Sequence, residues 1–379
     1  MPSKTVLLAA MSLGFGGAET HVVSLAEVLS RRDYRVLVVS QGGPLVGDLE
    51  RHGISHFTLP LHSRHPLRLA RAVSSFRRLL KEESVDLIHA HARIPAWVAD
   101  MARQTGSSVP LVTTYHGVYS ARVPWRWFTR FGDAVIAVSP DVEAHLKENL
   151  NLQGVPLTFI PNGIDTARFR PCPDEKPMRE ALNLDPRGPV VVHMSRLTDQ
   201  FAEVALALQE ALQMLNQDYP GIRAVVVGTG NRQAEVQQGA DQVNRDLGRE
   251  AITVVGGTPE PAPYLAAATA VVAVARSALE AMASAKPVVV AGEGGFRGLL
   301  SPDNVEVLKR HNFTARGSGI PATPQALADS LRPVLDSPQL KEDLGAFGRS
   351  LVEGEYDLIN VVDRIEEVYE GVEHLGLDR

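Results

Sequence analysis

Short apolar runs rich in β-branched residues alternate with amphipathic helical segments along the whole chain, and this alternation limits the fold more than any single motif. Thr5–Ala10 reads as a first strand, followed by the glycine turn Gly14-Phe15-Gly16-Gly17. The helix after the turn places Val22, Leu25, Ala26 and Leu29 on one face. Further strands are expected at Arg35–Ser40, Asp86–Ala90, Leu111–Thr114 and Ala134–Val138. Amphipathic segments at Leu67–Leu80, Pro95–Arg103 and Asp141–Leu150 separate most of them. Strands joined by helical crossovers make a parallel sheet covered on both faces. A second series follows, with strands at Val190–His193, Ala224–Val227, Ile252–Val255, Ala270–Val274 and Pro287–Ala291 and a helix at Phe201–Leu215.

A chain of 379 residues suits two domains. Between the two series Pro161, Pro171, Pro173 and Pro177 crowd into one stretch, which reads as a stiff linker. The expected division is 1–170, 171–350 and a C-terminal helix, 351–379, packing back toward the first domain. Val362, Ile365, Val368 and Tyr369 are spaced to bury one face of that helix. Two doubly wound domains facing a central cleft would open the carboxyl ends of both sheets onto it, where ligands of such sheets bind.

A single cysteine, Cys172, rules out a disulfide framework and fits a reducing cytoplasm. The apolar run from Val6 to Ala10 is too short for a signal-peptide core, and no stretch approaches the roughly 20 apolar residues of a membrane span. The net charge of −6 is uneven: residues 1–170 carry 19 Lys+Arg against 14 Asp+Glu, and residues 171–379 carry 19 against 30. The basic half suits an anionic acceptor or an anionic membrane better than nucleic acid.

Residues 275–290 read as a loop, a short helix capped by Ser277 and a buried strand. With Arg276 ahead of it, the helix start suits a phosphate or diphosphate; an ordinary helix–strand connection is the alternative. Several further segments recur at suggestive places. They are Gly14 to Glu19, Asp86 to His91, Tyr115-His116-Gly117, Val138-Ser139, Ile160 to Asp165, Ser195-Arg196-Leu197, Gly228-Thr229-Gly230, Leu279 to Ala283 and Lys286 to Val289. In this order and spacing they resemble the retaining, nucleotide-sugar-dependent glycosyltransferases of the GT-B fold, family 4, over nearly the whole chain.

The resemblance implies a transfer of sugar from a nucleotide-diphosphate sugar, with no metal and no other cofactor. Gly16 and Gly17 would hold the diphosphate or the transferred sugar, with Glu19 facing the acceptor. His116 would sit beside the donor sugar. His89 and His91 alternate along a strand end, so one of the two is expected to face the acceptor, together with Asn162. Arg196 would stabilise the leaving diphosphate, with Gly228 and Gly230 beside it. Arg276, Ser277, Ala278 and Leu279 would complete the donor site, and Glu280 would accept from the ribose. Two departures stand out. The family pairs its arginine with a lysine five residues on, where this chain has Phe201. The first acid of its acid pair falls at Val272. Arg276 is a candidate substitute for the missing charge, and Glu293 in Gly292-Glu293-Gly294-Gly295 is either a cleft acid or a solvated one.

Trp125-Arg126-Trp127-Phe128, with Arg122 and Arg130, reads as one helix. Either it meets a membrane interface holding a lipid-linked acceptor, as would the run Arg64, Arg68, Arg71, Arg77 and Arg78, or its aromatics lie in the core. The product expected is a cell-envelope glycan or polysaccharide. A GT-B epimerase or phosphorylase, or a non-catalytic sugar-nucleotide-binding scaffold, are the alternatives.

Overall fold

The computed structural model describes residues 4–377 apart from 64, 105–108, 124, 153, 186 and 187. The chain divides into two compact units, residues 1–163 with 358–379 and residues 164–357.

In the first unit, β1 (Lys4–Ala10), β2 (Tyr34–Ser40), β3 (Ser55–Thr58), β4 (Leu87–His91), β5 (Leu111–Tyr115), β6 (Ala134–Ala137) and β7 (Leu157–Phe159) form one sheet in the order β3-β2-β1-β4-β5-β6-β7. Every pairing is parallel. The connecting helices are α1 (Gly17–Ser30), α2 (Val46–Arg51), α3 (Pro66–Glu82), α4 (Arg93–Arg103) and α5 (Pro140–Asn149). Helices on both faces explain why β4, β5 and β6 are buried at every residue and read as unbroken apolar runs. The expected strands omit β3 and β7, which lie at the two edges, are short, and carry polar residues instead of such a run.

The second unit holds β8 (Val190–Met194), β9 (Arg223–Val227), β10 (Ile252–Gly256), β11 (Ala270–Ala273), β12 (Val288–Gly292) and β13 (Gly295–Leu299), in the order β10-β9-β8-β11-β12-β13. Its helices are α6 (Lys176–Ala181), α7 (Asp199–Leu215), α8 (Gln233–Leu247), α9 (Ala262–Ala267), α10 (Ala275–Ala283), α11 (Val305–Arg310), α12 (Pro324–Asp336) and α13 (Pro338–Glu355). Only β13 runs antiparallel, on β12. The segment around Glu293 is the turn of that hairpin, and Glu293 is exposed, a solvated acid.

Both sequence boundaries shift. The first unit ends at Gly163 rather than at 170, and the returning helix, α14 (Leu358–Leu377), starts at Leu358 rather than at 351. The boundary between the units, after Gly163, falls inside the proline-rich stretch, but most of that stretch belongs to the second unit and is not a free linker. Phe169 is buried in the core of the second unit, and Glu175 pairs there with Lys286, Lys341 and Arg179. α14 belongs to the first unit: Val361, Val362, Ile365, Tyr369 and Val372 join its core beside α1 residues.

Strand order reverses between β1 and β4 in the first sheet and between β8 and β11 in the second. At such switch points the flanking loops diverge beyond the carboxyl ends of the strands and leave room for a ligand.

Candidate active site

At the switch point of the first unit Ala10 lies in register with His91. The glycine loop leaves β1 here. Gly16 takes the N-cap position of α1 in extended backbone, and the Glu19 carboxylate folds over it, so a Cβ on Gly16 would lie 2.3 Å from Glu19 Oε2. A Cβ on Gly14 would touch nothing within 4 Å, and Gly17 is exposed. A side chain at 16 would have to displace only the mobile end of Glu19, and the extended backbone there suits any residue, so neither position requires glycine on steric grounds.

His89 and His91 do not divide between the faces. Residues two apart on a strand point the same way, and their rings lie 4.0 Å apart, centroid to centroid. His89 is wholly buried, which removes it from direct ligand contact: Nδ1 bonds the hydroxyl of Tyr369 on α14 and Nε2 that of Thr114, each at 2.7 Å. His91 Nδ1 meets His116 Nε2 at 3.2 Å, and their rings stack. His21 on α1 sets its ring edge 5.7 Å from His91 and 5.5 Å from His116. Burial drives the His89 pKa down to about 3, and burial plus the neighbouring imidazoles holds His91 well below 6.5. Both rings are neutral at physiological pH. His116 is half-buried just beyond the end of β5. Asn162 is buried at the close of the unit, and its Oδ1 has no partner.

At the switch point of the second unit Arg196 is exposed, two residues past the end of β8. Its loop is pinned by the turn after β9: Leu197 N–H donates to Thr229 O at 2.9 Å and Arg232 N–H to Leu197 O at 3.0 Å. The two backbones pass so closely that a Cβ on Gly228 would lie 1.9 Å from Ser195 O, and one on Gly230 2.2 Å from Leu197 O. Both glycines thus serve to seat the arginine loop. Phe201 lies under the guanidinium, 5.8 Å from ring centroid to Cζ, so an aromatic face braces the cation where the family has a second cation. Beneath the loop, the buried His193 donates from Nδ1 to Val272 O and accepts from the Ser195 hydroxyl at Nε2, each at 2.9 Å. Burial lowers its pKa to about 4.

The 275–290 stretch differs from its reading. α10 starts at Ala275 with Val274 as N-cap, so Ser277 is inside the first turn. Only Val274 separates β11 from the helix, and Val272 is a fully buried strand residue. The loop that would carry the family's first acid is absent, so Val272 replaces nothing. Ala275 N–H donates to Phe313 O and Ala278 N–H to Val274 O. Ala278 and Leu279 have their side chains in the core. Arg276, 7% exposed, binds Glu280 one turn on at 2.8 Å, which takes it out of the role of substitute cation. Burial pushes the Glu280 carboxyl up, and Arg276 opposes it.

Trp125–Phe128 is a single 3-10 turn rather than a longer helix. Trp127 is 67% exposed, while Phe128 packs on Trp97. A cavity of about 840 Å³ lies next to this turn, lined by Arg103, Arg126, Trp127 and Leu152 among others. It opens near the amino ends of β6 and β7, away from the strand ends that carry His91 and His116, so we place the chemistry at the latter. Along α3, Leu67, Arg68, Arg71 and Arg78 are exposed, Arg77 is half-buried, and Arg64 falls outside the described residues. Among the described residues no helix is long and apolar enough to cross a membrane, and no group of three His, Cys, Asp or Glu is arranged to hold a metal ion.

His21, Tyr369 and His193 escape a reading by motif. His21 had a signal: it lies one turn before Leu25 on the buried face of α1. The Tyr369 contact spans 280 residues of chain and had none.

Residues 15–168 match Glycosyltransferase Family 4 and residues 188–337 match Glycosyl transferases group 1. The phosphatidyl-myo-inositol mannosyltransferase of Mycobacterium tuberculosis is 27% identical over 95% of this chain and 94% of its own. Among solved structures, a glycosyltransferase from Rickettsia africae superposes with TM-score 0.77 at 20% identity, over 98% of this chain and 99% of that one. HepE of Anabaena in complex with UDP gives 0.72 at 21%, over 97% and 100%. Two parallel Rossmann-like units, the motif order and these relatives agree: the chain belongs to the GT-B glycosyltransferases of family 4, group 1.

Proposed function

We propose that this glycosyltransferase moves a sugar from a nucleoside-diphosphate sugar to a hydroxyl of a lipid-linked or envelope-glycan acceptor, with retention at the anomeric carbon. The observation that carries the donor reading is Arg196. It is an exposed guanidinium held at the switch point by two glycines that admit no side chain. The donor class is also that of the UDP bound by HepE, and the acceptor class follows the mannosyltransferase of M. tuberculosis.

The acceptor oxygen attacks the anomeric carbon on the face from which the diphosphate departs. The bond from that carbon to the phosphate oxygen breaks, and the acceptor proton passes to the departing phosphate. Arg196 stabilises charge that exists only once that bond lengthens, so it lowers the barrier more than it strengthens ground-state binding. His116 donates to the sugar, Glu280 offers its remaining acceptor capacity to the ribose, and Glu19 and Asn162 face the acceptor. No metal is required, because the guanidinium does the neutralising. The protein works in the cytoplasm, with Leu67, Arg68 and Arg71 of α3 and the exposed Trp127 meeting an anionic membrane.

The test is transfer from a panel of UDP- and GDP-sugars to lipid extracts, in EDTA, with the anomeric configuration of the product read by NMR. Turnover to an α-linked product from an α-linked donor is expected; inversion, or a strict metal requirement, overturns the reading. Flotation with anionic vesicles at low salt tests the membrane contact, which fails if the protein stays in the bottom fraction.

A further inference from the structure

Tyr369 reaches the strand-end histidines from the other end of the chain. Its hydroxyl is buried and bonded to His89 Nδ1 at 2.7 Å, while Thr114 holds Nε2. His89 itself is sealed from solvent, so both of its nitrogens serve to fix its ring. That ring lies 4.0 Å from His91, tilted by 34°. His91 Nδ1 in turn faces His116 Nε2, and His91 Nε2 is buried without a partner. One proton sits between His91 and His116. Only one of the two facing nitrogens can carry that proton, so the tautomer of His91 fixes that of His116.

We propose that Tyr369 is a positioning residue for the transfer: its hydroxyl fixes His89, His89 steadies His91 by ring contact, and His91 holds His116 in one orientation and one tautomer. This rests on the reading of His116 as the group that donates to the donor sugar. A phenylalanine would fill the same space, so the part specific to tyrosine is the buried hydroxyl, which needs a partner to be tolerated. α14 thereby orients a histidine cluster whose other members come from the first 116 positions.

The experiment is ¹⁵N NMR of the histidine side chains in the full chain, alongside steady-state kinetics, for wild type, Tyr369→Phe and Thr114→Val. Wild type should show His116 as a single tautomer. Tyr369→Phe should give a mixture and a kcat lower by about tenfold, with both KM values nearly unchanged, because a misaligned donor is lost to the reacting geometry rather than to binding. Thr114→Val frees the opposite nitrogen of His89 and should move both readouts the same way, which covers a Tyr369→Phe protein that fails to fold. An unchanged tautomer and kcat in a folded variant overturns the proposal. His116→Ala separates the underlying reading: full turnover in that variant removes His116 from the chemistry, whereas the tautomer measurement reports on the relay itself.

Discussion

Arg276 shows how a residue chosen for its charge can be spent before a ligand arrives. Its guanidinium and the Glu280 carboxylate are each 7% exposed and meet at 2.8 Å. Breaking a buried pair strands one charge, so Arg276→Ala should cost about 3–5 kcal/mol in urea denaturation, and the double variant Arg276→Met/Glu280→Leu much less. Equal losses in the two would mean that solvent already screens the pair. Arg196, one switch-point loop away, is the opposite case. Arg196→Ala should lower kcat by about 10²–10³ with the fold intact. Phe201→Ala, which only removes the ring under the guanidinium, should raise the donor KM about two- to fivefold, in line with a cation–π contact of roughly 0.5–1 kcal/mol. These two positions were legible as residues. Their partners were not, because an i to i+4 pair and a cation over a ring depend on which way each side chain is turned by its neighbours.

Elements were legible where they are long or buried on both faces. The parallel strands show as apolar runs because helices cover them, and α14 shows because its apolar face repeats at helical spacing. The short connection between β11 and α10 was not: a missing loop leaves no residue to read, and Val272 stood in its place as an apparent substitution. The two glycines after β9 have a steric role that the motif alone does not show. Gly230→Ala would drive a methyl into Leu197 O, and the loop carrying Arg196 would have to move. A stability loss of about 1–3 kcal/mol is expected, with turnover falling further than the stability loss explains. Normal kcat in a destabilised Gly230→Ala protein would show that the loop tolerates displacement. In α14, Val362 is fully buried in the first unit's core, so Val362→Asp should abolish soluble, folded protein in a circular-dichroism melt.

At the scale of the molecule, three buried histidines make stability depend on pH. Each has a native pKa below the ordinary 6.5: His89 at about 3, His193 at about 4, and His91 well under 6.5. Below pH 6.5 the unfolded chain binds protons that the folded one refuses, so stability falls as pH drops from 6.5 toward those native values. Once the unfolded chain is protonated and the native ring is not, each such histidine contributes a slope of at most about 1.4 kcal/mol per pH unit. Two of them lie in the first unit and one in the second. Calorimetry between pH 7.5 and 5 should therefore show the first unit losing stability faster; parallel, pH-independent transitions would contradict this.

The sequence by itself determined two doubly wound α/β units, the family, and the segments that reach the strand ends. Those follow from local period and motif order, which the chain carries wherever it folds. Tertiary structure decided what each charged or polar residue does there. It took Arg276 into a buried pair, closed His89 off from solvent and gave it Tyr369, turned the proline stretch into part of a packed unit, and made two glycines the seat of Arg196. Each of those outcomes is a contact between residues far apart in sequence or a direction of a side chain, and neither is set by local pattern.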